Sequence, residues 1–146
     1  MADNRSTDPR ASVPTPGERI AAIGAIVVVG SPLLPWYGVS VGGGLAKTGF
    51  DAFGLAQLAM LITAGAALAL IARRMRGYSP PRPLGTGGLL VASGIWIGVL
   101  LCYLIADRPD EIAGSLDVNL RLGPFVALGG AAALIVGGMR VRDARA

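Results

Sequence analysis

The chain has 146 residues, enough for one domain; 53% are apolar and only 15% charged, and mean hydropathy is +0.60. Soluble domains carry about 25% charged residues. Here the charges gather between long apolar runs, which excludes an ordinary soluble core and gives the composition of a membrane protein. The net charge is +4. The basic residues collect where membrane topology requires them, and no nucleic-acid module or basic amphipathic helix is present, so the charge points to lipid and away from nucleic acid.

Residues 1–18 hold Pro, Ser, Asp and Arg with almost no large apolar side chain. Such a segment buries too little surface to offset its ordering entropy, so a disordered cytoplasmic tail is expected. A four-helix transmembrane domain follows over 19–142, with 143–146 as a short C-terminal tail. Its first apolar run covers about 20–37, roughly seventeen residues, the short end for a spanning helix. The long charged front and the lack of a small-x-small cleavage site set it apart from a signal peptide. Pro32 and Pro35 lack an amide hydrogen, so the last turn should kink or unwind. Trp36 and Tyr37 read as aromatic anchors at the membrane interface, with Tyr78 as a third on the opposite side.

Gly38 to Asp51 form the first outer loop, made pliant by Gly42, Gly43 and Gly44. No Lys-Ser/Thr pair follows the glycines, so they do not read as a phosphate loop. Asp51 is a candidate N-cap for the second span, 52–72, which carries no charge. At about 1.5 Å per residue this span reaches about 30 Å, the thickness of the hydrocarbon core. Gln57 is its one strongly polar residue, an intramembrane group suited to bonding a neighbouring helix. The connector Arg73-Arg74-Met75-Arg76-Gly77-Tyr78-Ser79-Pro80-Pro81-Arg82-Pro83 has four arginines and no acid.

The third span covers 84–106. Gly94 and Gly98 have the small-xxx-small spacing that lets two backbones approach. Cys102, the single cysteine, lies within this run and reads as a small buried hydrophobe. A second outer loop holds Asp107, Asp110, Glu111 and Asp117, and Pro109–Gly114 has the composition of one helical turn. These acids lack the spacing of a calcium loop, and no metal site is assigned. Asp117 to Leu122 alternates apolar and polar residues, as does Tyr37 to Val41. Period two is the strand signature. The two outer loops are therefore expected to pair as a small two-stranded ribbon that lays Val39, Val41, Val118 and Leu120 on the helix ends. The fourth span covers 123–139; Gly129, Ala133 and Gly137 recur at intervals of four and should serve helix packing.

Orientation follows from charge. With both tails and the connector inside, ten basic residues lie on the cytoplasmic side, set there by Arg73, Arg74, Arg76, Arg82, Arg140 and Arg142 among others. Three, Lys47, Arg108 and Arg121, remain outside. That imbalance obeys the positive-inside rule. The two halves are alike only as any two hairpins are. Histidine is absent, which removes imidazole bases and His-based metal sites. No pair of acids lies inside a span, and Walker loops and nucleophile elbows are missing. No catalytic residue and no cofactor is assigned, and the chain reads as a non-enzyme.

Ser31-Pro32-Leu33-Leu34-Pro35-Trp36-Tyr37, the glycine-rich loop after it, and Arg121-Leu122-Gly123-Pro124-Phe125 resemble a family of short four-span membrane proteins of actinobacterial type. In these a Pro-Trp-Tyr/Phe ends the first helix and an Arg-x-Gly precedes the last. The resemblance implies the architecture and no activity. The resulting expectation is an all-α, multi-pass bundle of the bacterial inner membrane with both termini cytoplasmic. It would act as a non-enzymatic accessory or interaction component of the envelope. Its partners would be the lipid bilayer and either further copies of itself or another membrane protein. Two alternatives stand beside it: a subunit of a small transporter or channel, whose path would use Ser31, Gln57, Thr63 and Ser93, and a sensor or regulator with ligand-binding outer loops.

Overall fold

The computed structural model describes residues 13–39, 46–48, 54–77, 85–106 and 118–143. Helix α1 (Pro16–Gly30) tightens into a 3₁₀ turn (Ser31–Leu33) and passes into strand β1 (Pro35–Val39). Strand β2 (Ala46–Thr48), helix α2 (Leu55–Met75), helix α3 (Gly85–Ala106), strand β3 (Val118–Leu120) and helix α4 (Leu122–Asp143) follow. The expected loss of helix at the prolines occurs at Ser31–Leu33, where Pro32 stands early in the turn and Leu34 is extended.

Helix α1 begins earlier than the composition of the tail implies. Thr15 is the N-cap, Pro16 takes the first helical position, and Glu18 reaches back to close a capping box. Residues 16–18 thus leave the tail and join the bundle. Helix α2 starts at Leu55 on Gly54 as N-cap, three residues beyond Asp51, which lies outside the described residues. Helices α2 and α4 run past the apolar stretch and take Arg73, Arg74, Arg140 and Arg142 into their last turns. Cations there oppose the negative end of the helix dipole.

The four helices form a square. Helix α4 packs on α1 and on α3, and α2 packs on the same two from the other side. The buried positions follow a heptad rhythm: Glu18, Ala21, Ala25 and Val28 in α1; Gln57, Met60, Ala64, Ala67 and Ile71 in α2; Leu90, Gly94, Ile97 and Leu101 in α3; Ala127, Ala131, Leu134 and Val141 in α4. Spacings of three and four keep one seam facing the neighbours.

Glycine sets how closely the helices approach. A methyl group added at Gly24 would fall 2.6 Å from the Gly130 carbonyl oxygen and 2.9 Å from Ala133 Cβ. One at Gly137 would fall 2.6 Å from both the Ala21 nitrogen and the Gly17 carbonyl oxygen. On the other side of α4, Gly94 meets the Ala131 carbonyl oxygen and Gly87 meets that of Gly138, at 2.9 and 2.6 Å. These contacts are antiparallel, and the glycines recur every seven residues. Gly94, Ala133 and Gly137 lie in these contacts. Gly98 and Gly129 do not: a side chain at either would meet open space. The interval of four that singled them out is one turn of helix, whereas the interface repeats every two turns.

The ribbon forms, and it has a third strand. The sheet order is β2-β1-β3. Tyr37, Gly38 and Val39 pair antiparallel with Leu120, Asn119 and Val118, so the two alternating segments are neighbours. Strand β2 pairs with the other edge of β1. Val41 and the side chains of Val39, Val118 and Leu120 lie outside the described residues, as do Tyr78, Arg82 and the outer-loop acids.

All four helices are long and apolar enough to cross a membrane. Large apolar side chains on their outer faces are exposed, among them Ile23, Ile26, Ile62, Ile95, Trp96, Val99 and Phe125. Cys102, expected to be buried, is exposed on the same outer surface because it falls one residue past the Leu101 seam position. Water would penalise this surface; hydrocarbon would not.

Candidate functional site

The bundle has two polar ends and an apolar waist. At the sheet end Trp36 is 2% and Tyr37 3% exposed. Successive strand residues ordinarily point to opposite faces. The pairing of β1 with β2 shifts register between Pro35 and Tyr37, and this bulge at Trp36 breaks the alternation. The Trp36 indole lies on Gly123, where an added methyl would run into the ring. Its Nε1 donates to the Ser31 carbonyl oxygen at 2.8 Å, and its own carbonyl oxygen accepts from the Arg121 amide at 3.0 Å. The Tyr37 hydroxyl donates to the Leu104 carbonyl oxygen at 3.2 Å.

These bonds tie β1 to α1, to the start of α4 and to the end of α3. They also correct the reading of Trp36 and Tyr37 as interfacial anchors. An anchor turns its ring to the headgroup layer, whereas these rings are enclosed and use their polar atoms inside the protein. The Pro-Trp-Tyr and Arg-x-Gly segments are one structural unit, since Gly123 leaves the space that Trp36 fills.

Gln57 sits in the seam of α2, 1% exposed, and its Nε2 has no hydrogen-bond partner among the described residues. The interhelical bond expected of its amide is not made by that nitrogen. Two of the hydroxyls considered for a polar path, those of Ser31 and Thr63, are turned to backbone of the preceding turn. Ser31 Oγ donates to the Val28 carbonyl oxygen at 2.8 Å, and Thr63 Oγ1 to that of Ala59 at 2.7 Å.

The opposite end carries the charge. Arg19, Arg73, Arg76, Arg140 and Arg142 are exposed there. Arg74 turns inward, and its Nη1 lies 2.6 Å from Glu18 Oε1, with the side chains 19% and 5% exposed. The contact is an ion pair by distance without the alignment of a hydrogen bond. Glu18 Oε2 accepts from the Thr15 amide at 2.8 Å and from Thr15 Oγ1 at 3.0 Å. One carboxylate thus caps α1 and binds α2. Thr86 occupies the corresponding place in α3, fully buried, with an Oγ1 that has no partner among the described residues. Arg74 was expected to set topology; the structure adds a counter-ion. Glu18 was hidden by its assignment to the tail, although Thr15-x-x-Glu18 followed by an apolar run is a sequence signature of a helix start.

No group of three or more metal-ligating side chains occurs among the described residues. Comparison with family models, with curated proteins and with solved structures finds no match.

Proposed function

We propose that the protein is a multi-pass component of the bacterial inner membrane, with both termini cytoplasmic, that acts through binding as an accessory or interaction protein of the envelope. The observation that carries this is the division of the molecule between its two ends. Of the eight basic residues among those described, six, Arg19, Arg73, Arg74, Arg76, Arg140 and Arg142, belong to the end away from the sheet. Only Lys47 and Arg121 belong to the sheet end. Arginine crosses a bilayer with difficulty, so the arginine end stays inside and the sheet faces out.

The binding role draws support from how the polar atoms are used. Ser31, Thr63, Trp36 and Tyr37 direct theirs to backbone carbonyls, which gives a rigid post with a pinned cap. Crosslinking in native membranes followed by capture of the full chain tests this. A discrete crosslinked partner, lost when the sheet is disrupted by Trp36→Ala, is the expected result. Ion or solute flux through liposomes holding only this protein would favour the transporter reading instead.

A further inference from the structure

Helices α3 and α4 touch through backbone at Gly94, where an added methyl would fall 2.9 Å from the Ala131 carbonyl oxygen and 2.7 Å from the Ile135 side chain. One turn on, at Gly98, nothing lies within 4 Å. Between them a groove of about 470 Å³ opens on the outside of the bundle, walled on the α4 side by Leu128, Ala132 and Ile135. No charged or amide side chain lines it. Its volume is within the range of about 300–1,000 Å³ typical of ligand sites.

The size and the neighbourhood decide the occupant. The groove runs beside Gly94 to Cys102 of α3, about 12 Å at 1.5 Å per residue. A single hydrocarbon chain of that length fills it, whereas a helix of a second copy, about 10 Å across, would stand largely outside it. Ile135 and Leu128 stand seven residues apart on one stripe of α4. Arg121, seven residues before Leu128 and just ahead of the helix, is exposed at the sheet end of that stripe. It adds a cation to the positive end of the α4 dipole, a pairing suited to a phosphate.

We infer that the α3–α4 groove is a binding site for one phospholipid of the sheet-side leaflet, its acyl chain in the groove and its phosphate at Arg121. The inference rests on the reading that the bundle spans a bilayer. The test reconstitutes the full chain into vesicles of phosphatidylglycerol and phosphatidylethanolamine, then counts phospholipids retained after mild detergent extraction by native mass spectrometry. The wild type should keep one phospholipid, enriched in the anionic species. Gly98→Leu and Ala132→Leu, which fill the groove from opposite walls, should each lower the retained fraction about tenfold at an unchanged melting temperature. Arg121→Gln should abolish the anionic enrichment. Equal retention by the wild type and both groove variants would overturn the site, as would a wild-type dimer that Gly98→Leu splits. Flotation with the vesicles at alkaline pH separates the two levels: a protein that floats yet keeps no lipid refutes the site alone, and one that does not float refutes the bilayer reading itself.

Discussion

Gly24 and Gly65 are the same residue in helices of one bundle, yet only Gly65 has room for a side chain. At Gly24 the limiting neighbours are backbone atoms of α4, which cannot rotate aside. Gly24→Leu should therefore destabilise the protein by about 2–3 kcal/mol or force α1 and α4 apart, whereas Gly65→Ala should be neutral or raise stability by up to about 1 kcal/mol. Thermal unfolding in one detergent checks both, and equal effects at the two sites would show the close approach to be absent. The buried polar groups yield a similar contrast. Glu18→Ala removes a cap and leaves Arg74 without its counter-ion, a loss of about 2–3 kcal/mol. Adding Arg74→Leu should recover part of it, because the stranded charge goes too. Gln57→Leu should be neutral or stabilising by about 1 kcal/mol, since its Nε2 has no partner to lose among the described residues. A loss above about 1 kcal/mol would mean that the amide is bonded to something in the membrane.

At the scale of elements, the sheet is the part whose stability depends most on one residue. Trp36 joins the 3₁₀ turn, β3 and the first turn of α4, so Trp36→Ala should cost about 3–5 kcal/mol. Gly123→Ala, which presses a methyl into the indole, should cost about 1–3 kcal/mol. Hydrogen exchange of the β1 and β3 amides should rise first in both variants; unchanged exchange would show that the sheet holds without the ring. The pairing of β1 with β3 was legible because both segments alternate in hydropathy. Strand β2 was not, since the three residues Ala46–Thr48 are too few to display a period. The four long helices were legible from length and lack of charge, although α2 and α4 run past the expected ends at 72 and 139 into the arginines. The start of α1 was masked by the polar composition around it, although Thr15 and Glu18 marked it. Composition also could not separate an outward-facing tryptophan from an enclosed one: Trp96 is half exposed and Trp36 buried, and the difference lies in a bulge and a glycine far along the chain.

Over the whole molecule, two adhesion modes coexist. Helices α1, α4 and α3 form a slab held by glycine-lined backbone contacts, and α2 closes the square with a seam of Met60, Ala64, Ala67 and Ile71, ending in the Arg74–Glu18 pair. The exposed waist is apolar on every helix, and α1 begins and α4 ends on the arginine side. The membrane reading, the proposed threading and the proposed lipid groove all rest on that arrangement. Substituted-cysteine labelling tests it most directly: in a Cys102→Ser background, single cysteines replace Lys47 in β2 and Arg142 at the end of α4, and intact cells meet a membrane-impermeant maleimide. The account predicts that Lys47→Cys labels in intact cells and Arg142→Cys only after lysis. The reverse pattern would contradict the orientation, and labelling of both before lysis would contradict the spanning bundle.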